Sequence, residues 1–437
     1  MPHTVAIRRE DKNIWERRSP LTPQQVTGLS AEHGIKTVVQ SSAVRAFTDA
    51  EYSAAGAAVQ EDIGGCKVVL AIKEIPLHLL HADATYVFFS HTAKGQAYNM
   101  PMLRRLLELK CTLIDYEKIV DEKGRRVVLF GNFAGLAGMI DSLWALGGRL
   151  KYEGIPTPLA KLHKTYEYAS LDAAKEAVAA AGEEIKKKGL PKKIAPFVCG
   201  FAGYGNVYAG ASQIFDLLPH KTISPAELAQ LYSTGTAERK AFFKVVFKEE
   251  DSVRPKEKGA VFALQDYYSH PEKYEGRFIE YVPHLGMLMN CVYWEKKYPR
   301  LISKEGLKAL HADRSRPFRL RVIGDISCDV EGGIECTVRS TTPSAPIFVY
   351  NPEEGTIKVG WVGDGVVVLA VDNLPCELPK ESSDAFGGQL IKFVPALASA
   401  DYDKPFEESS LPPIIKDAVL VYRGQFTPKY KYMAEFL

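Results

Sequence analysis

Short apolar runs recur through the first 130 or so residues, and stretches with helical spacing separate them. "TVAI", "KTVVQ", "KVVLAI", "TYVFFSH" and "CTLIDYE" are rich in β-branched and aromatic residues. Between them, "TPQQVTGLSAEHG" and "NMPMLRRLLELK" repeat their apolar positions every three or four residues. Alternation of this kind predicts an α/β fold, a parallel sheet with helices on both faces. "GNFAGLAGMIDSLWALGGRLKYEG" then reads as one long helix, its small residues suited to close packing, and as a connector between domains. A charged, alanine-rich helix follows, "SLDAAKEAVAAAGEEIKKKG", ending on a glycine that suits a C-cap.

"APFVCGFAGYGNVYAGASQIFDLLP" opens a second α/β unit as strand, glycine turn and helix. From 237 to 320 the periodicity fades and aromatics accumulate (Tyr267, Tyr268, Tyr274, Trp294), which reads as an insertion. Strands are predicted again in "FRLRVIGDIS", "ECTVRS", "IFVY", "IKVGWV" and "GVVVLAVDNLP". An amphipathic helix, "AFGGQLIKFVPALASA", precedes a last strand, "AVLVYR". At 437 residues the chain is too long for one typical core and is expected to hold two or three domains.

The glycine turn has the spacing Gly203-x-Gly205-x-x-Tyr208, with tyrosine where a dinucleotide loop usually has its third glycine. Gly203 suits the tight turn and Gly205 a close approach of backbone to pyrophosphate. The helix opening at Asn206 and Val207 offers free N–H groups to an anion. Gly210 is expected to take over the missing glycine's packing against the strand. An ordinary strand–turn–helix has the same pattern. The next strand, "HKTI", ends in no acid: Ser224-Pro225-Ala226-Glu227 is a helix start with a capping box. Ser224, with His220 and Lys221 close by, leaves room for a 2′-phosphate and points to NADPH/NADP rather than NAD.

A net charge of +2 with no long Lys/Arg run gives no nucleic-acid footprint. Seven cysteines, scattered and never in CxxC spacing, argue for a reducing compartment and against disulfides or a zinc site. His78 and His81 have ligand-like spacing but no third ligand nearby, so no metal is expected. No apolar run is long enough to span a bilayer, and no targeting segment precedes "TVAIRRE". The expectation is a soluble intracellular protein without membrane contact, cytoplasmic, or in the mitochondrial matrix if a presequence has been removed.

Charged groups stand where strands or turns end: Arg18 before a proline-started helix, Lys73 in "AIKEIP", His91 and Lys94 in "FFSHTAKGQ", Glu117 and Arg126 in "DYEKIVDEKGRRVVLFG". Singly, each is an ordinary solvated or hydrogen-bonded side chain. On consecutive ends of a parallel sheet, Lys73, His91 and Glu117 converge on one crevice. Arginine clamps carboxylates bidentately, a lysine of lowered pKa shuttles protons, and histidine does so unaided. With a hydride donor this set suits reductive amination.

"VAIRREDKNIWERRSPLTP", "FFSHTAKGQ", "LIDYEKIVDEKGRRVVLFGNFAGLAGMID", "GYGNVYAGASQIFDLLP", "GDISCDVEGGIECT" and "VDNLP" together resemble the lysine–ketoglutarate reductase half of the bifunctional α-aminoadipic semialdehyde synthases, from about Thr4 to "PKYKYM". These belong to the wider alanine dehydrogenase and saccharopine dehydrogenase superfamily. The resemblance implies two Rossmann-like domains with parallel sheets and an interdomain active-site cleft. The first would join 1–140 to 376–437, and the second would be the dinucleotide-binding domain, 141–375. It also implies the reaction, L-lysine and 2-oxoglutarate reduced with NADPH to saccharopine. By motif position Lys73 and His91 match the acid–base pair, and Arg18 the carboxylate-binding arginine. Glu117, Arg126 and Phe130 match residues lining the substrate cleft. Lys94 and Asp329 stand near substrate and nicotinamide, and Asn373 and Leu374 belong to the loop facing the nicotinamide.

Members of that family continue into a saccharopine dehydrogenase half, so a fused or associated saccharopine dehydrogenase, or a homo-oligomer, is among the partners implied. Three other readings stay open: an opine-type reductive amination with another amine, an amino-acid dehydrogenase using ammonia, and a non-catalytic NADP-binding regulatory domain.

Overall fold

The computed structural model describes residues 3–232 and 238–437; residue 237, the expected start of the aromatic insertion, lies outside the described residues. The chain forms two units, Met1–Phe130 with Pro379–Leu437, and Gly131–Leu378. In chain order the strands are β1 (Thr4–Ile7), β2 (Lys36–Gln40), β3 (Ala58–Gln60), β4 (Val68–Leu70), β5 (Thr85–Phe88), β6 (Thr112–Asp115), β7 (Val198–Ala202), β8 (His220–Thr222), β9 (Phe242–Phe247), β10 (Val253–Pro255), β11 (Tyr274–Gly276), β12 (Met287–Asn290), β13 (Val322–Asp325), β14 (Ile347–Asn351), β15 (Thr356–Val359), β16 (Val366–Leu369), β17 (Val419–Tyr422) and β18 (Gln425–Phe426).

The first unit's sheet runs β18-β17-β6-β5-β4-β1-β2-β3. All pairings from β6 to β3 are parallel. Val5–Ile7, Val68–Leu70 and Tyr86–Phe88 are buried throughout, because helices cover both faces and leave no polar side to alternate with. The sheet is not wholly parallel, however. β17 lies antiparallel to β6 and turns back into β18 through Arg423 and Gly424, both at positive φ, a two-residue hairpin that needs no crossover helix. The helix Pro23–His33 begins at a reciprocal cap between Thr22 and Gln25 and stops at Gly34, which adopts φ +63°.

The second sheet runs β15-β14-β16-β13-β12-β7-β9-β8, parallel except for the β14–β15 hairpin at one edge. Here the chain departs from the sequence reading. The stretch read as an insertion supplies two strands of the main sheet, β9 and β12, around a small β10–β11 ribbon. Tyr267 and Tyr274 pack with Phe262 and Tyr298 in a satellite core of that ribbon. "HKTI" forms β8 at the sheet edge, so the neighbour of β7 is β9. "ECTVRS" contains no strand; it is irregular chain after the isolated bridge Ile302–Ile334, and its Thr337 Oγ1 donates to the buried Asp325 carboxylate at 2.6 Å.

The helix Gly131–Tyr152 belongs wholly to the second unit, so the boundary falls at 130 rather than 140. Two glycines explain its place. A Cβ on Gly135 would lie 1.9 Å from the Val207 carbonyl oxygen, and one on Gly210 would lie 1.9 Å from that of Asn132. Gly210 therefore serves helix-on-helix contact, not the helix–strand contact expected of it. The chain returns to the first unit at 379 rather than 376, since Leu374 and Leu378 are buried in the second unit's core.

Replacing Gly210 by Ala should destabilise the second unit by about 2 kcal/mol or more in chemical denaturation, since backbone atoms must move to admit the methyl. Gly388→Ala is the control: exposed in the helix Pro379–Leu390 with nothing within 4 Å of a new Cβ, it should stabilise by about 0.5–1 kcal/mol.

Candidate active site and dinucleotide loop

In the first unit, parallel pairing brings the ends of β1, β4, β5 and β6 to one edge of the sheet. Glu10 stands past β1, Lys73 past β4, His91 past β5 and Glu117 past β6. Glu10 is buried and ties two of these ends together, its carboxylate accepting from the backbone N–H of Ile72 (2.6 Å) and Lys73 (2.9 Å). Burial, with Glu16 nearby, pushes its pKa up to about 7.

Lys73 is partly buried, and its pKa is lowered, first by burial and then by the charges of Arg18 and Lys12, against the opposing pull of Glu16 and Glu74. His91 holds a left-handed backbone (φ +50°), its ring stacked beside Phe89. Its Nδ1 meets Glu74 Oε1 at 2.5 Å. Burial alone would raise the Glu74 pKa, but the hydrogen bond and charge of His91, with Lys12 at 3.5 Å, bring it down to about 2. Glu74 therefore stays ionised as the orienter of the imidazole. Glu74, Glu10 and Lys12 were not among the residues singled out in the sequence. Glu74's position beside Lys73 was the available signal.

Arg18 differs from expectation. It is 2% exposed, and its Nε and Nη2 grip Glu16 at 2.7 and 2.5 Å, with the guanidinium 4.2 Å from the Phe130 ring centroid. Two of its donors are thus committed within the fold. Arg126 is the more accessible guanidinium, 3.0 Å from Glu117. Phe130 stacks on Phe386 at 4.4 Å and lies 6.1 Å from Phe89, giving the site an apolar wall. Lys94 sits exposed three residues beyond His91. Together the first unit gathers Lys73, His91, Arg18, Glu117, Arg126 and Phe130 at one sheet edge.

In the second unit, β9, β7, β12, β13 and β16 are parallel neighbours and end along one edge. That edge carries Gly203, Asp329, Asn373 and Leu374. Gly203 has φ +94°, and a Cβ there would lie 2.8 Å from Val292, so the turn requires glycine. A Cβ on Gly205 would meet nothing within 4 Å: the space above the loop is open, as backbone contact with a pyrophosphate needs. Asn206 and Val207 begin the helix Asn206–Phe215, whose N-terminus points free N–H groups the same way. Tyr208 causes no conflict, turning its ring edge-on to Phe201 at 5.5 Å. Asp329 is exposed in the turn after β13, whereas Asn373 and Leu374 are buried after β16.

Ser224 is not brought to this loop. It follows the edge strand β8, and Glu227 binds both its N–H and its hydroxyl at 2.7 Å. The strand beside β7 ends instead at Lys248 and Glu249, and Gly203 N–H donates to Phe247 O at 3.0 Å. A cavity of about 290 Å³ opens here, walled by Gly203, Tyr204, Lys248, Glu249, Tyr268 and Val292 among others. The Glu249 carboxylate accepts from the hydroxyls of Tyr268 (2.6 Å) and Tyr204 (3.1 Å). Sequence reading missed these residues because it took "HKTI" for the neighbouring strand. The cavity and the open loop fit the adenosine and pyrophosphate parts of a dinucleotide. No described cluster of His, Cys, Asp and Glu has the arrangement to hold a metal ion, and no described helix is long and apolar enough to cross a membrane.

Comparison with known proteins agrees with this architecture. Residues 6–137 match the family "Alanine dehydrogenase/PNT, N-terminal domain", and residues 275–429 match "Alanine dehydrogenase/PNT, C-terminal domain". The chain is 40% identical over 98% of its length to the α-aminoadipic semialdehyde synthase of Arabidopsis thaliana, covering 41% of that protein. Against the mitochondrial α-aminoadipic semialdehyde synthase of Rattus norvegicus it is 37% identical over 98%, covering 47%. It thus spans less than half the length of these relatives. Among solved structures, an L-alanine dehydrogenase shares the fold with a TM-score of 0.62 at 17% identity, over 99% of this chain and all of that one. A transhydrogenase from Sinorhizobium meliloti gives 0.57 at 16%, over 97% of this chain and all of that one.

The lowered pKa of Lys73 has a direct test. A lower pKa leaves more neutral amine at a given pH, and neutral amine is the nucleophile. Competitive acetylation at pH 8 should therefore modify Lys73 ahead of what its partial exposure alone would allow, and Arg18→Gln should slow it by removing a neighbouring cation.

Proposed function

Since the chain belongs to the alanine dehydrogenase/PNT superfamily, we propose that it is a lysine–2-oxoglutarate reductase, condensing L-lysine with 2-oxoglutarate and reducing the product to saccharopine. The observation that carries this reading is the Lys73–Glu74–His91 group at adjacent strand ends, in a chain 40% identical to a semialdehyde synthase over nearly its whole length.

The residues divide the work by their chemistry. Arg126, accessible and paired only to a carboxylate that a substrate can displace, holds a carboxylate of the oxo-acid. Arg18, buried against Glu16, acts on Lys73 through its charge. Lys73 accepts the proton that the ε-ammonium of lysine loses, freeing the amine to attack the keto carbon. His91, oriented by Glu74, then protonates the carbinolamine hydroxyl, which leaves as water. Phe89 and Phe130 line the site with apolar surface that keeps the imine from hydrolysis. Gly203, Gly205 and the helix N-terminus at Asn206 and Val207 would hold a reduced nicotinamide dinucleotide, whose chemistry when bound would be hydride donation. Asn373 and Leu374 would meet its nicotinamide end, with Asp329 as a charged neighbour.

NADPH is the coenzyme this reading favours, with Lys248 rather than Ser224 as the group that meets the 2′-phosphate. Lys248 is the first residue past β9, level with Gly203 and exposed at the cavity wall, while Glu249 is engaged by two tyrosine hydroxyls. The cellular setting follows the relatives: the rat protein is named as mitochondrial, and the matrix is the compartment proposed.

NADPH oxidation should require lysine and 2-oxoglutarate together, and Lys73→Met or His91→Gln should each lower kcat about 10²–10⁴-fold. Oxidation with another amine in place of lysine would move the reaction to an opine-type branch. Lys248→Ala should weaken NADPH binding about tenfold by fluorescence titration, leaving NADH binding unchanged. An equal loss for both coenzymes would refute the role given to Lys248.

A further inference from the structure

The loop that carries His91 is tied down from two sides. On the β6 side, Ser90 N–H donates to Asp115 Oδ2 at 3.2 Å, and Asn99 Nδ2 donates to the carbonyls of Ser90 (3.0 Å) and His91 (3.4 Å). These bonds hold the backbone on either side of the left-handed residue. They do not reach the bend that follows, where Gly95 N–H closes on Thr92 O at 2.9 Å.

That bend is held by the far end of the chain. The hydroxyl of Tyr432 donates to Ala93 O at 2.9 Å. The ring of Phe436 lies so close to Gly95 that a Cβ there would sit 2.8 Å from it, and Gly95 has φ +69°. The two rings also meet edge to face at 6.0 Å.

The segment presenting them is itself firmly seated. Pro428–Phe436 is a 3₁₀ turn that buries Tyr430 and Met433. Tyr430 donates to Asp417 O at 2.8 Å, and Thr427 donates to Val419 O at 2.7 Å, fastening the turn to β17. With about three residues per turn, Tyr432 falls on a different face from the buried 430 and 433, while Phe436 continues their row past its buried end; the two stand 44% and 37% exposed yet bear on the loop. Neither residue offers acid–base chemistry that the reaction needs, and neither is required to fill the core.

We propose that Tyr432 and Phe436 are positioning residues for His91: the C-terminal turn clamps the Ala93–Gly95 bend and so holds the imidazole in register with Glu74 beside Lys73. The inference rests on the proposed acid–base role of His91. A loose bend lets the left-handed backbone at His91 relax toward the ordinary region, which swings the ring away from Glu74.

The test uses the full chain and the variants Tyr432→Phe, Phe436→Ala, His91→Gln and His91→Gln/Tyr432→Phe. Tyr432→Phe keeps the ring and removes only the hydroxyl, so the fold should persist. Its kcat should fall about tenfold with KM for lysine and 2-oxoglutarate within about twofold, and the double variant should be no slower than His91→Gln alone. Amide hydrogen exchange of residues 93–95 should rise in Tyr432→Phe and in Phe436→Ala, while that of β4 and β6 stays as in the parent chain. Unchanged exchange overturns the clamp. Raised exchange with parental kcat, or losses that multiply in the double variant, overturns the action through His91. Exchange is read without turnover, so a parent chain inactive toward lysine and 2-oxoglutarate would mark failure of the proposed reaction, separately from the clamp.

Discussion

Parallel hydrogen bonding among β1, β4, β5 and β6 obliges four chain segments to leave the sheet at the same edge. Each segment must turn there to enter its crossover, and the turn leaves one or two side chains facing outward past the last paired residue. Lys73, His91 and Glu117 are such residues. The same geometry operates from β9 to β16 in the second unit, where the exits carry Gly203, Lys248, Glu249, Asp329 and Asn373. The proposed proton-transfer and coenzyme-binding residues thus come from one topological device used twice, with different residues at the exits.

The charges in the first unit are arranged so that none is comfortable alone. Burial, and then the charges of Arg18 and Lys12, lower the pKa of Lys73, while Glu16 and Glu74 pull against that shift. Glu74 profits from the same arrangement. Its folded-state pKa of about 2 lies below the ordinary 4.5, so the stability it contributes is present above pH 4.5 and lost as pH falls toward 2. Glu10 runs the opposite way. With its pKa raised to about 7, it favours the fold while protonated, and that contribution fades as pH rises from about 4.5 through 7. This edge of the first sheet therefore has one carboxylate that resists acid and one that resists ionisation.

Much of this was legible in the residues. Alternating apolar runs located most strands because buried parallel strands are apolar on both faces, and Lys73 and His91 stood out as polar residues ending such runs. Positive-φ turns that convert a strand to an antiparallel hairpin, as at Arg423–Gly424, depend on backbone geometry that Arg-Gly does not advertise. The order of β8 and β9 was hidden for a different reason. Both follow the glycine loop and both suit a strand, and only their pairing partners distinguish them. That one ambiguity sent the coenzyme reading to Ser224 and away from Lys248. Arg18 was expected to bind a substrate carboxylate, but its partner two residues earlier, Glu16, was needed to see that its fork is occupied.

The position of β8 also decides what holds the margin of the second sheet. This three-residue strand pairs with β9 and not with β7, although it follows β7 directly in the chain. β9 itself reaches β7 across 39 intervening residues, 203–241. β8 is therefore held in the sheet by β9 alone, and whatever loosens β9 from β7 carries the whole margin of the sheet with it.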